Sequence, residues 1–201
     1  MTLDERLQQA VDTLGDKFRD ELTRELHSLS DDWKAQLPPP PPPAPPVDTT
    51  AVARLADAVR AIDEATSLSA LLDALATAAG NESARAGVFL VRNEDVRSFR
   101  LSNFPARYED APITVPLNDA GVVRDAVTQR ATATSDASPF DELPPGVTAI
   151  AIPLVLAGAA IGALYVEAAD LPTMEVLARF ASRALEAQTA MKTARAIAEG
   201  V

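Results

Sequence analysis

Residues 147–166 read VTAIAIPLVLAGAAIGALYV, a stretch of twenty residues without a charge. About 20 apolar residues can cross a bilayer as a helix, and Gly158 and Gly162 form a G-x-x-x-G pair that can bring two membrane helices together. Against this, Pro153 would break a helix, and the nearby charges are acidic, so the positive-inside signal is missing. We therefore prefer a buried β-hairpin to a membrane helix.

The alternation of apolar residues predicts the two strands of this hairpin. In the first strand, one face carries four aliphatic residues at period two: Ile150, Ile152, Leu154 and Leu156. In the return strand, one face carries Ile161, Ala163 and Tyr165, and the other carries Leu164 and Val166. Ala157-Gly158 makes the turn, where glycine supplies a positive φ. Because both faces are apolar, the hairpin should be covered on both sides.

This hairpin resembles the core hairpin of GAF domains, small sensory modules related to PAS domains. Pro153-Leu154, Gly158 and Ile161-Gly162-Ala163-Leu164 are similar to the family's strand ending in Pro-Leu, its glycine turn and its Ile-Gly-x-Leu. Residues 61–79 with 84–92 resemble the entry helix and first strand of these domains. Residues 120–140 resemble a segment in which a short helix precedes a strand and an Asp. The resemblance extends over about residues 51 to 188.

Local patterns predict the remaining elements of the domain. Two helices, capped by Thr49 or Thr50 and by Ser67 or Ser69, precede an apolar strand at 86–91. An alternating strand at 96–104 has Arg97, Phe99, Leu101 and Asn103 on one face. A third strand around Val115, a helix at 120–130, a strand at 131–135 and a loop at 136–146 come next, and a long helix follows the hairpin from Asp170 and Pro172.

The resemblance implies an α+β domain with an antiparallel sheet of five or six strands. It places the terminal helices on one face of the sheet and a ligand pocket on the other, under residues 104–146. The pocket lining it implies is Phe99, Phe104, Tyr108, Val122, Val123, Phe140, Ile152 and Tyr165, with Arg97, Arg107 and Arg124 as cations for an anionic ligand. The alternative is that the aromatic residues fill a core and that the arginines are solvated.

The residue inventory excludes several uses of this fold. The chain has no cysteine, so covalent bilin attachment and the cysteine chemistry of free methionine sulfoxide reductases are ruled out. Its single histidine, His27, lies outside the domain, so haem has no axial histidine there. The cyclic-nucleotide signature of the family does not match, since Phe140-Asp141-Glu142 has the wrong spacing. We predict no catalytic residue, no metal site and no cofactor.

The first 37 residues are predicted to form a long amphipathic helix that starts at a Thr2–Glu5 capping box. Ten apolar residues recur every three or four positions from Leu3 to Leu37, at a mean spacing of 34/9, above the 3.5 of a heptad. Such an apolar stripe must be buried against another surface. We favour self-association as a coiled coil, with folding back onto the domain or a foreign partner as alternatives.

Residues 38–48, PPPPPPAPPVD, are predicted to form a linker between this helix and the domain at 49–201. Pro38 to Pro46 should adopt a polyproline II rod of about 28 Å, at ~3.1 Å per residue. The simpler interpretation is a stiff spacer, and the alternative is a docking site for an aromatic groove.

Charge and composition bound the function. The net charge of −11 argues against binding to nucleic acid or to an anionic membrane. The N-terminus lacks a signal sequence, so we expect a cytoplasmic protein. Arginine far outnumbers lysine, which favours a bacterial protein. The main hypothesis is a homodimeric signalling module that binds a small ligand non-covalently and acts through a separate partner. The alternative is a non-sensing dimeric adaptor that works through its N-terminal helix and polyproline segment.

Overall fold

The computed structural model describes residues 20, 21, 23–25, 49–108 and 111–198. The chain divides into two compact units, Met1–Val47 and Asp48–Val201. In the first unit, the described residues are helical and exposed. The predictions for the rest of residues 1–48, including the coiled coil and the polyproline rod, lie outside the described residues.

The second unit is the α+β domain that the sequence predicts. Its helices are α1 (Thr49–Asp63), α2 (Leu68–Asn81), α3 (Gly121–Gln129) and α4 (Leu171–Ala198). Its strands are β1 (Arg85–Arg92), β2 (Asp95–Ser102), β3 (Thr114–Pro116), β4 (Ala133–Ser135), β5 (Ala149–Leu156) and β6 (Ala159–Glu167). The order of helices and strands is the predicted one.

The six strands form one antiparallel sheet in the order β3-β2-β1-β6-β5-β4. The hairpin of β5 and β6 therefore lies inside the sheet, with β6 paired to both β1 and β5. Its turn has φ of 48° at Ala157 and 79° at Gly158, as a tight two-residue hairpin turn requires. Within the described residues, no helix is long and apolar enough to cross a membrane.

One face of the sheet, called the helix face below, carries aliphatic side chains against α2 and α4, on which α1 packs in turn. The buried strand residues on this face are Ala86, Val88, Ile150, Ile152, Leu154, Leu164 and Val166. The helices contribute leucine, methionine and alanine, including Leu71, Leu75, Met174 and Leu177. The small alanines of α2 and α4, such as Ala76 and Ala181, are fully buried.

A β-bulge corrects one detail of the predicted hairpin. Leu154 pairs with Gly162 but Val155 pairs with Ala160, so Ile161 is an extra residue in β6. As a result Ile161 packs against the helix face, whereas Ala163 and Tyr165 lie on the opposite face. The prediction that the three share one face is wrong, because strict alternation does not allow for a bulge.

Candidate functional site

The opposite face of the sheet, called the loop face below, is covered by α3, by residues 103–108 and 117–120, and by the loop at 136–148. Its buried residues form a second hydrophobic cluster, which contains both small and large side chains. Alanines at 149, 151 and 163 make a shallow floor, and large aromatic side chains stand beside them. The sheet thus carries two separate cores, one on each face.

Three aromatic rings form the centre of the loop face. Phe89 of β1 and Phe140 of the 136–148 loop stack with their centroids 4.3 Å apart and their planes 4° from parallel. Tyr165 of β6 meets both rings edge-on, with centroids 6.0 Å from Phe89 and 5.1 Å from Phe140. Phe104 and Tyr108 extend the group toward the surface. Such pairs stabilise by about 0.5–1.5 kcal/mol each beyond burial.

A charged network lies next to these rings. The carboxylate of Glu167, 1% exposed, has Arg85 Nε 2.5 Å from Oε2 and accepts the Tyr165 hydroxyl at 2.6 Å through Oε1. Arg85 Nη1 also lies 3.1 Å from Asp141 Oδ2, and Arg107 Nη2 lies 2.7 Å from Asp141 Oδ1. Two guanidinium groups and two carboxylates therefore alternate from the surface into the core.

The sequence places Arg85 and Glu167 opposite each other in the sheet. They are register partners at the first position of β1 and the last position of β6. Arg85 also lies 5.9 Å from the centroid of Phe104, within the range of a cation–π contact. The ion pair thus closes the end of the two central strands, next to the aromatic group.

The network shifts the pKa values of Tyr165 and Asp141. Burial raises the pKa of the Tyr165 phenol, and the bond to Glu167 raises it further, so the hydroxyl stays protonated and donates. For Asp141, partial desolvation raises the pKa, but the Glu142 backbone N–H and the Arg107 and Arg85 guanidinium groups together lower it by more. The pKa of Asp141 is therefore below its ordinary value, and the carboxylate is charged at neutral pH.

The loop at 136–148 is held over the sheet by side chains. Tyr108 donates its hydroxyl to the Phe140 carbonyl at 2.6 Å, and the Phe140 N–H donates to Ser138 Oγ at 3.1 Å. Ser138 Oγ also lies 2.7 Å from the Tyr165 hydroxyl oxygen. Because the loop forms no strand or helix, these contacts and the Asp141 ion pairs fix its position.

A cleft of about 480 Å³ opens beside the aromatic group. It runs between the end of β2 and residues 103–105, 108 and 112. The lining includes Ser98, Phe99, Arg100, Leu101, Phe104 and Tyr108. Since Phe104 and Tyr108 line the cleft and are packed, half-buried, against the buried cluster, the cleft leads directly to the loop face.

Known structures share this architecture at low sequence identity. The GAF domain of an Acinetobacter phosphoenolpyruvate-protein phosphotransferase is 14% identical and matches 72% of this chain and 97% of its own, with a TM-score of 0.56. The free methionine-R-sulfoxide reductase of Neisseria meningitidis, in complex with its substrate, is 21% identical over 73% of this chain and 96% of its own, at a TM-score of 0.54.

A phytochrome photosensory core module from Stigmatella aurantiaca also matches 72% of this chain, but only 38% of its own length, with 15% identity and a TM-score of 0.55. The sequence matches no protein-family model and, at a significant level, no curated protein. The evidence for the fold is thus structural. The domain has a GAF fold. The helix-covered face and the loop-covered face of this GAF-fold domain agree with the arrangement that the sequence resemblance implied.

The structure brings five of the predicted ligand-binding residues together on the loop face. They are Phe104, Tyr108, Val123, Phe140 and Tyr165, and the neighbouring Val122 is buried with them. Arg107 also belongs to this group. It forms an ion pair with Asp141, and its guanidinium carbon lies 4.9 Å from the centroid of the Tyr108 ring. Four of the five predicted aromatic residues, all but Phe99, therefore share one surface.

Ile152 does not belong to that surface. It pairs with Leu164 across the hairpin and is buried on the helix face, whereas Tyr165 pairs with Ala151 on the loop face. Paired residues point to the same side of a sheet, so Ile152 and Tyr165 must point to opposite sides. The prediction that both line one pocket is corrected on this ground.

The predicted residues of β2 are placed differently from the expected alternation. Arg97 lies between buried Val96 and Ser98 and is exposed, so it points away from the loop face. Val88 pairs with Arg100 and Phe89 with Ser98, which makes Phe99 the extra residue of a bulge, 36% exposed at the cleft. The strand ends at Ser102, because Asn103 adopts a φ of 62°.

Arg124 is engaged on α3. Its guanidinium donates to Asp125 Oδ1 at 2.8 and 2.9 Å and to the Asn118 carbonyl at 3.1 Å. It makes none of the contacts of the Arg85 network. The cations next to the aromatic group are therefore Arg85 and Arg107 rather than Arg97 and Arg124.

Sequence reasoning missed Phe89, Arg85, Glu167, Asp141 and Ser138 as members of the site. A signal existed for two of them, since Arg85 and Glu167 are the charged residues that bound the apolar strands β1 and β6. Among the described residues, no group of three or more acidic or histidine side chains is arranged to hold a metal ion.

Proposed function

We propose that this chain is a cytoplasmic regulatory protein whose GAF-fold domain binds a small ligand non-covalently on the loop face. The bound state is transmitted through the terminal helices, and the output lies in a separate partner. The observation that carries this proposal is the Arg85–Glu167–Tyr165 network buried beside the aromatic rings.

Stability alone gives little reason for such a network. A buried ion pair contributes little or nothing compared with apolar residues of the same volume, because both charges lose their hydration. The helix face of the same sheet is packed entirely with apolar side chains among its buried residues. Charged and hydrogen-bonding groups next to aromatic rings are what a small-molecule site requires.

The proposal includes no catalysis. Reduction of a sulfoxide by side chains requires a thiol that becomes oxidised in turn, and this chain has no cysteine. The substrate of the Neisseria enzyme therefore indicates that the fold can hold a small molecule, while its chemistry is not transferred to this chain.

Dimerisation is supported by an apolar groove on the helices. The groove, of about 460 Å³, lies between α1, α2 and the start of α4. Its apolar lining includes Leu55, Ala58, Ala61, Ala74, Ala78 and Leu177, and Arg54, Asp57, Asp73 and Glu82 are its charged lining residues. A second copy of the domain would cover it. Light scattering on the full chain tests this: Ala61→Glu in the groove should give monomers, and exposed Ala53→Glu outside it should not.

The ligand proposal is tested by a thermal-shift screen of the full chain with amino acids, 2-oxoacids, cyclic nucleotides and nitrate. Binding to the folded state adds about 2.7 kcal/mol at a hundredfold excess over Kd. A shift that Arg107→Gln abolishes and Arg97→Gln leaves intact supports a ligand site on the loop face. Shifts that respond equally to both substitutions would contradict it.

The alternative is a non-sensing adaptor that works through residues 1–48. It predicts that a partner protein is retained when loop-face residues such as Arg107 are replaced. It also predicts that the partner is lost when Pro39 and Pro42 become serine in the full chain. The ligand-regulated module predicts the reverse dependence on Arg107.

A further inference from the structure

The dipeptide Phe140-Asp141 fills the centre of the loop face with a ring and a carboxylate. The Phe140 ring is 7% exposed and stacks on Phe89, with Tyr165 at its edge. The next residue, Asp141, places its carboxylate between Arg107 and Arg85. Both side chains belong to a loop, whereas Phe89, Tyr165 and Arg85 belong to the sheet.

The sheet therefore offers two adjacent subsites that the loop occupies. The first is a slot for one flat ring, walled by the face of Phe89 and, beside it, by the Tyr165 ring, whose plane lies at 80° to that of Phe140. The second is an anion position in front of two guanidinium groups. Between them, the Tyr108 hydroxyl donates to the carbonyl of Phe140, a third group that a ligand could use.

Charge at the second subsite favours an anion when the loop moves away. Without Asp141, the network retains Arg85 and Arg107 against the single carboxylate of Glu167. Glu167 is tied to Arg85 Nε and to the Tyr165 hydroxyl, so it cannot also serve Arg107. The subsite then carries one uncompensated positive charge, and a carboxylate fits two guanidinium donors well.

We propose that the ligand of this site is a small aromatic carboxylate, and that Phe140-Asp141 is an internal mimic that the ligand displaces. This inference rests on the proposed function and names the ligand class for the same site. The ligand's ring takes the place of Phe140, and its carboxylate takes the place of Asp141. Displacement of the loop then reports occupancy at the surface of the domain.

The test uses two double variants of the full chain that share one vacated ring slot. Phe140→Ala with Asp141→Asn removes both parts of the mimic. Phe140→Ala with Glu142→Gln removes the ring and makes the same charge change one residue away. The side-chain amide oxygen that Asp141→Asn introduces can still accept the Glu142 N–H that Asp141 accepts at 2.9 Å, so the local turn is retained.

The probes are 3-phenylpropionate and its neutral amide, measured by calorimetry. We expect the Asp141→Asn double variant to bind the carboxylate at least about tenfold more tightly than the Glu142→Gln double variant, since a charge-assisted pair is strong. The amide should bind both variants alike. Equal affinity of the carboxylate for the two variants, or no binding by either, would overturn the inference.

If the double variants do not fold because their ring slot is empty, the single variants Asp141→Asn and Glu142→Gln provide the test, because both keep Phe140. Acetate should shift the Arg85 and Arg107 side-chain NMR signals at a lower concentration in Asp141→Asn than in Glu142→Gln. The same response in both would overturn the inference. In that case, the proposed function would still be supported by a ligand of another class whose thermal shift is abolished by Arg107→Gln.

Discussion

The two faces of the sheet carry side chains of different chemical character. The helix face is covered by three helices whose buried residues are all apolar, and it repeats leucine, isoleucine and alanine. The loop face carries the stacked rings, and both buried polar residues of the described chain, Ser98 and Glu167, lie on it. The helix face is what any such domain needs to fold, whereas the loop face has a specific chemistry.

This difference has a physical consequence for tolerance to change. Apolar packing is non-directional, so a face of aliphatic side chains accepts substitutions that conserve volume. Hydrogen bonds and ion pairs are directional, so removal of one partner leaves a buried group unsatisfied. The two faces should therefore respond differently to substitutions of equal size.

The largest expected effect on stability comes from a substitution that breaks the loop-face network at its centre. Glu167→Ala leaves Arg85, 13% exposed at its side chain, and the Tyr165 hydroxyl without their buried acceptor. We expect a loss of about 3–5 kcal/mol in the free energy of unfolding, measured in urea. The control is Glu64→Ala on an exposed position, which should stay within about 0.5 kcal/mol of wild type.

The helix face should lose stability through volume alone. Leu154 is fully buried there, and Leu154→Ala should cost about 2–5 kcal/mol. Leu154→Met keeps the volume and should cost less than about 1.5 kcal/mol. A similar loss for both variants in urea unfolding would show that this face also depends on exact shape.

Tyr165→Phe is the corresponding conservative change on the loop face. It keeps the ring contacts with Phe89 and Phe140 but removes the hydroxyl that lies 2.6 Å from Glu167. We expect a loss of about 1–3 kcal/mol, because the buried carboxylate loses a donor. A cost smaller than that of Leu154→Met would contradict the proposed difference between the faces.

The smallest expected effect is the acid dependence from Asp141. Its pKa is lower in the folded state than its ordinary value of 3.8, so the unfolded chain takes up the proton first as pH falls. The stability from this group is present at neutral pH and is lost as pH drops from about 5 through the folded pKa. The difference in urea stability between wild type and Asp141→Asn should therefore shrink over this range.

Much of the helix face could be predicted from the sequence. Ile150, Ile152 and Leu154 alternate at period two, and Leu71, Leu72 and Leu75 follow a helical spacing, so their burial follows from periodicity alone. The glycine turn at Gly158 was equally readable. On the loop face, Phe104, Tyr108, Phe140 and Tyr165 were grouped only through the family resemblance, and Phe89 was missed.

The rest of the loop face depends on contacts between distant residues. Asp141 meets Arg85, 56 positions away in the sequence, and no local pattern records that pairing. The bulges at Phe99 and Ile161 each move one residue out of the alternation, and a period-two argument fails at such a point. Because of the bulge at Ile161, Ile152 lies on the helix face while Tyr165 lies on the loop face.

Native-state hydrogen exchange on the full chain tests most directly whether the loop face opens independently of the helix face. The Phe140 and Glu142 amides donate only to the side chains of Ser138 and Asp141, whereas β6 is paired on both sides. We predict that the loop amides exchange through a local opening that is insensitive to low denaturant, while Leu164 and Val166 exchange only through global unfolding. Exchange of the Phe140 and Leu164 amides with the same free energy and the same denaturant dependence would contradict this account.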